Sequence, residues 1–165
     1  SHLDFFKRTI DIEAHINQQD IIYVGGGNTK SMLGVWKEWG LDLILRNAYD
    51  KGVIMSGVSA GAICWFTKGI TDSWLDELSI LDCLGIITGT CCPHYDEEKS
   101  RKPYLEKIIK DKVIDTCIAI EGNCALHIKN NLPYRSLSFG SNKKTYDVSL
   151  KAGELVHTPY QNEDL

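Results

Sequence analysis

The stretch Val53-Ile54-Met55-Ser56-Gly57-Val58-Ser59-Ala60-Gly61-Ala62 limits the fold of this chain more than any other. A short apolar run of strand character meets Gly57-x-Ser59-x-Gly61, and a helix-compatible segment, Ala60 to Phe66, follows. Strand, sharp turn and helix in that order form a nucleophile elbow, with the serine at the tip of the turn. Glycines two before and two after the serine are needed because a side chain there would collide in so tight a bend. A helix N-terminus behind Ser59 would add N–H groups and positive partial charge, both suited to an oxyanion. Structural turns in Gly/Ser-rich loops share the spacing, but the flanking strand and helix favour a nucleophile.

Around the elbow, helical and strand patterns alternate. Leu3, Phe6, Ile10 and Ile16 give a helical face over Leu3 to Ile16, with Phe5 and Ile12 beside it. Asp20-Ile21-Ile22-Tyr23-Val24 is a strand run stopped by Gly25-Gly26-Gly27. Asn28-Thr29 can cap a helix over Ser31 to Trp39, closed by Gly40. A second helix, Leu41 to Lys51, carries Leu41, Ile44, Leu45 and Ala48 on one face, with Gly52 behind it. Residues 69–90 are turn-rich, with short apolar stretches at Ile80-Leu81 and Leu84 to Ile87. A helix over Lys102 to Lys110, opened by Pro103, and strands Thr116 to Ile120 and Ala125 to Ile128 follow. Tyr134 to Leu150 alternates as a hairpin around Gly140-Ser141-Asn142, and 161–165 are expected to fray.

Such a pattern predicts a single α/β domain over residues 1–165, a mostly parallel sheet flanked by helices with a small antiparallel extension. A doubly wound sheet normally starts with a strand, whereas here a helix comes first. An N-terminal strand is therefore expected to be missing from this chain.

Charge narrows the function classes. The net charge is −4 and Lys/Arg residues form no stripe, which argues against nucleic-acid or anionic-membrane partners. No apolar run of about 18 residues or basic-then-apolar leader is present, so a cytoplasmic protein is expected. Six cysteines, at 64, 83, 91, 92, 117 and 124, show no C-x-x-C pair or zinc spacing. They read as reduced thiols, three of them within apolar segments, and neither a metal nor a cofactor is expected.

A serine hydroxyl needs a base, usually a histidine oriented by a carboxylate. Of the five histidines, His2 and His15 lie in the opening segment, His127 sits inside a strand, and His157 lies in the C-terminal stretch. His94 follows Gly89-Thr90-Cys91-Cys92-Pro93 and opens a polar loop, Tyr95-Asp96-Glu97-Glu98, which places it at the mouth of a strand. Glu121 stands at the end of the strand Thr116 to Ile120, where functional groups gather in open α/β sheets. Asp96 and Glu97 are rivals as the orienting acid, though so short a step along the loop is awkward for reaching the ring. Gly25-Gly26-Gly27-Asn28 would let the backbone approach a ligand; the dinucleotide fingerprint fails at Lys30, and an oxyanion donor is the favoured use.

Together, Tyr23-Val24-Gly25-Gly26-Gly27-Asn28-Thr29, Ser56-Gly57-Val58-Ser59-Ala60-Gly61-Ala62, Pro93-His94-Tyr95 and Glu121-Gly122-Asn123 resemble the aspartyl dipeptidase (peptidase E) family of serine peptidases, relatives of cyanophycinase. The resemblance implies a flavodoxin-like fold, as in class I glutamine amidotransferases. It implies a Ser-His-Glu triad of Ser59, His94 and Glu121, with oxyanion N–H groups from Gly27, Asn28 and Ala60. Family members remove an N-terminal aspartate from dipeptides, and an arginine after the histidine holds its side chain, a role that would fall to Arg101. The implied partner is a short peptide, Asp-X dipeptides in particular, with monomer and homodimer both open. Two other readings stand beside it: an esterase that uses His157 as base, and a catalytically silent member that binds a small molecule or partner.

Overall fold

The computed structural model describes residues 1–3, 5, 11–74, 77–140 and 142–165. Helix α1, Ile12–Asn17, starts at Asp11, whose carboxylate accepts from Ala14 N at 2.9 Å. The rest of the helix expected over Leu3 to Ile16 falls partly on residues 4 and 6–10, outside the described residues. Strand β1, Ile21–Val24, runs into the glycine loop, and Asn28 caps α2, Thr29–Glu38, by accepting from Ser31 N at 2.9 Å. Gly40, at φ 66°, turns the chain directly into α3, Leu41–Asp50, a backbone conformation that suits glycine. Leu41, Leu45 and Ala48 of α3 pack with Ile16, Trp36 and Trp65 in the larger of two cores. Each fully buried leucine there contributes about 1.5–3 kcal/mol.

Strand β2, Ile54–Gly57, pairs parallel to β1 with Val24 opposite Gly57. After the elbow, α4 is one turn, Ala60–Ile63, shorter than the expected helix to Phe66. Phe66 instead opens a long strand, β3 (Phe66–Trp74), which folds back antiparallel on β4 (Glu77–Asp82). This hairpin occupies most of a region that reads as turns. Gly69 is the misleading residue: it lies within β3, where a Cβ would press against Ile63 Cδ1 at 2.8 Å. The glycine lets α4 pack flat on the strand.

Strand β5 (Ile87–Cys92), helix α5 (Arg101–Lys110) and strand β6 (Thr116–Ile120) form a right-sized crossover, with β3, β5 and β6 mutually parallel. Strands β9 (Thr145–Lys151) and β10 (Glu154–Pro159) extend that sheet antiparallel, in the order β10-β9-β6-β5-β3-β4. Strands β7 (Cys124–Lys129), β8 (Leu132–Ser138) and β11 (Asn162–Asp164) make a third, small sheet. The α/β class is as expected.

The late strands pair differently from the sequence reading. Tyr134 to Leu150 is not one hairpin, since β8 pairs with β7 and β11 while β9 pairs with β6 and β10. The tight turns are Asn130-Asn131 and Ala152-Gly153, each with positive φ at both residues, the twist that two-residue hairpins need. Residues 162–164 do not fray; they add β11 to the edge of β8. No helix among the described residues is long and apolar enough to cross a membrane.

The glycine loop, Ser59, His94 and Glu121 each follow the carboxyl end of a parallel strand, β1, β2, β5 and β6 respectively. This end of an open α/β sheet is where ligands bind.

Candidate active site

Ser59 sits at φ 55° and ψ −115°, a conformation serine adopts only where its surroundings impose it. The frame around it is made of backbone. Val58 N donates to Val24 O at 3.1 Å, Gly61 N to Val58 O at 2.9 Å, and Ile63 N to Ser59 O at 3.1 Å. A Cβ on Gly57 would sit inside the carbonyl of Gly61, and one on Gly61 inside the carbonyl of Val24. Both elbow glycines are therefore fixed by contact with main chain that cannot yield.

His94 follows Pro93 at the end of β5 with φ 53°. Its Nε2 lies 2.9 Å from Ser59 Oγ, and its Nδ1 lies 2.7 Å from Glu97 Oε2. Serine, imidazole and carboxylate thus form one hydrogen-bonded chain, but the carboxylate is Glu97. Glu121 does not reach the ring. Its Oε2 accepts from Lys144 N at 3.0 Å, and its own N–H donates to Lys144 O at 3.3 Å, continuing the β6–β9 ladder.

Backbone geometry explains the substitution. Glu97 N and Glu98 N both donate to His94 O, at 3.1 and 3.2 Å, so the loop coils into a turn that brings residue i+3 back over the ring. Gly122 provides the space, since a Cβ there would lie 2.5 Å from the Glu97 carboxyl carbon. The Glu121-Gly122-Asn123 motif therefore contributes its glycine to the site, where the sequence reading assigned its glutamate.

Asp96 locks the same loop from the other side. It accepts from Gly122 N at 2.7 Å and forms an ion pair with Lys143. Burial alone would raise its carboxyl, but Lys143 and the Gly122 N–H outweigh that and hold it below the usual aspartate value. A carboxyl lowered in the folded state stabilises above its unfolded value and stops doing so as pH falls through the lowered one. Asp96→Asn is accordingly expected to reduce the acid-dependence of unfolding as pH falls through and below the ordinary aspartate range, read by urea melts at successively lower pH.

The glycine loop lies against Ser59: a Cβ on Gly26 would come within 3.4 Å of Ser59 Cβ. Asn28 Nδ2 donates to Ser73 O at 3.0 Å, and Lys30 N to Ser73 Oγ at 3.2 Å, which tie the loop to β3. Gly27, at φ 146°, and Asn28 continue this loop after Gly26, and Ala60 follows Ser59 in the chain, buried. With α4 only one turn long, the local N–H groups, and not a long helix dipole, are what this end can offer an oxyanion.

Arg101 does not join them. Its side chain is 2% exposed, with Nε donating to Glu98 Oε2 at 2.7 Å and a terminal nitrogen to Ile70 O at 2.9 Å. The bond to Ile70 O fastens α5 to β3, and the other terminal nitrogen lies 4.0 Å from the Asp72 carboxylate. Arg101→Met is expected to cost about 2–3 kcal/mol in denaturant unfolding, from the orphaned carbonyl and carboxylate, without altering which substrate residue is preferred. His157 is likewise engaged elsewhere, its Nε2 2.6 Å from Tyr95 OH. His127 is exposed and stacks edge-on against Tyr134.

The serine, histidine and Glu97 open on a cavity of about 1090 Å³ whose apolar walls include Met55, Phe66, Ile87, Leu126 and Ile128. The buried thiols do not enter this chemistry: desolvation holds Cys64, Cys91 and Cys117 well above the ordinary thiol value, so they pack as small protonated hydrophobes. Among the described residues, no cluster of three His, Cys, Asp or Glu side chains is placed to hold a metal ion.

Comparison with known proteins gives this geometry a context. The model of Peptidase family S51 matches residues 1–132. The uncharacterized peptidase YgaJ of Bacillus subtilis (strain 168) is 44% identical over 160 residues, 96% of this chain and 69% of its own length. The uncharacterized peptidase Lin0382 of Listeria innocua serovar 6a is 29% identical over 116 residues, 66% of this chain and 55% of its own. A crystal structure from Listeria monocytogenes EGD-e, named provisionally as a peptidase E protein, superposes with a TM-score of 0.51 at 18% identity. It covers 91% of this chain, which spans 64% of that one, and it supports the fold.

Proposed function

This chain belongs to peptidase family S51, and from that premise we propose that it supplies the catalytic centre of a serine peptidase acting on short peptides. The observation that carries the proposal is the pair of contacts on one imidazole, Nε2 to Ser59 Oγ at 2.9 Å and Nδ1 to Glu97 at 2.7 Å. That is the arrangement a base needs to take a hydroxyl proton while its far side is oriented by a carboxylate.

In the proposed reaction a scissile carbonyl lies over Ser59 with its oxygen toward the N–H groups of Gly27, Asn28 and Ala60. His94 Nε2 takes the hydroxyl proton as the Ser59 Oγ–carbon bond forms, and Glu97 steadies the resulting imidazolium. The carbon–nitrogen bond then breaks, with the proton passing from His94 to the leaving amine. Water attacks the acyl-enzyme, gives one proton to His94, and the acid departs as that proton returns to Ser59 Oγ.

Dipeptides beginning with aspartate are the reference substrates that the family resemblance brings. The arginine expected to select them, Arg101, is committed to Glu98 and Ile70. The test is hydrolysis of Asp-X and other X-X dipeptides and their p-nitroanilides by native protein and the Ser59→Ala variant. Equal rates in the two would end the proposal. An esterase based on His157 is not favoured, since that ring is held by Tyr95.

A further inference from the structure

The cavity next to Ser59 carries information about the substrate. We infer that it selects a neutral, apolar side chain adjacent to the scissile bond and disfavours aspartate, an inference that rests on the serine-peptidase reading above. Three observations on the same cavity lead there.

First, much of its wall is hydrocarbon. Met55 from β2, Phe66 and Ile87 from the main sheet, and Leu126 and Ile128 from β7 face it, and all five pack in the larger apolar core. Second, its charges have the wrong sign for a carboxylate. Asp50, Glu97 and Glu121 line it together with one ammonium, Lys129, at the end of β7. Third, the guanidinium nearest in sequence to the catalytic loop is buried in an internal ion pair. An aspartate entering this cavity would lose its hydration and meet negative neighbours without a paired cation, whereas leucine, methionine or phenylalanine would lose only water contact.

At about 1090 Å³ the cavity lies at the upper end of small-ligand pockets. Tyr49 and Asn131, hydrogen-bonded to each other, are also among its lining residues. An apolar-walled recess that includes the nucleophile suits a large side chain or a very short apolar peptide.

The experiment uses the natural full-length protein and two dipeptide series, X-Ala and Ala-X, with X as Leu, Met, Phe, Asp or Lys. In at least one series, Leu, Met or Phe should exceed Asp by about 100-fold in kcat/KM, in line with what an unpaired charge costs in an apolar site. Leu126→Arg, which places a cation in the wall, should reverse the Asp disadvantage by at least about 10-fold. Binding of the same peptides to Ser59→Ala, followed by calorimetry, reads the recess without chemistry and shows the same order. It also serves if Leu126→Arg does not fold.

Aspartate equal to or better than leucine in both turnover and binding overturns the inference. A chain segment outside this sequence filling the recess would give a flat series and no response to Leu126→Arg, and also overturns it. Apolar-selective binding without Ser59-dependent turnover would instead leave the recess in place and refute the peptidase reading.

Discussion

Replacing Ser59 by alanine is expected to lower the turnover of any peptide this protein cleaves by about 10⁴- to 10⁶-fold. The variant loses the one oxygen to which His94 Nε2 is hydrogen-bonded and which would form the covalent bond. The proposed oxyanion donors and the binding recess remain, so a residual rate above that in water should persist. His94→Ala should fall by a similar factor, and the double variant should be little worse than either single one, because the two groups act as a unit. Saturating kcat for the three proteins measures this, with a thermal melt as the folding control. Alanine at φ 55° is no better placed than serine, so the melt should change little.

Glu97→Gln is expected to cost about 10²- to 10⁴-fold in kcat with little change in KM, while Glu121→Gln costs less than about 10-fold. The reason lies in what each carboxylate touches. Glu97 Oε2 is 2.7 Å from His94 Nδ1, so glutamine there removes the charge that steadies the imidazolium and allows the wrong tautomer. Glu121 spends its carboxylate on Lys144 N, and losing it loosens the junction of β6 and β9. Gly122→Ala is a third arm of the same test. The added methyl would displace the Glu97 carboxyl from 2.5 Å, and the variant should lose kcat as Glu97→Gln does. If Glu121→Gln proves the more damaging of the two, the acid partner is the one expected from the family resemblance, and the contact with Glu97 is a resting arrangement.

Much of the scaffold was readable because it is local. The period-3.6 face of Leu41, Ile44, Leu45 and Ala48 did become α3, and Asn28 did become a helix cap. The Gly57-x-Ser59-x-Gly61 spacing reports a contact between backbones, which any side chain would spoil, so residue type alone reveals it. The strands after residue 66 were harder. Gly69 looks like punctuation but is a packing gap, and the turn pair Asn130-Asn131 lacks the glycine that usually marks a two-residue hairpin. In the sequence Glu97 is a rival acid, and its short step along the loop from His94 argues against its reaching the ring. The signal for it in the sequence is its i+3 spacing from His94, which one tight turn converts into contact.

Composition and order along the chain were enough to decide that this is an α/β protein, that a serine sits on a strand-to-helix bend, and that a histidine waits at a later strand end. Those are properties of short segments, and short segments carry their own steric rules. Which acid meets the histidine, where the arginine goes, and what lines the space beside the serine were settled by folding alone. They depend on distances between elements far apart in sequence, down to a missing methyl on Gly122 that leaves room for a carboxylate.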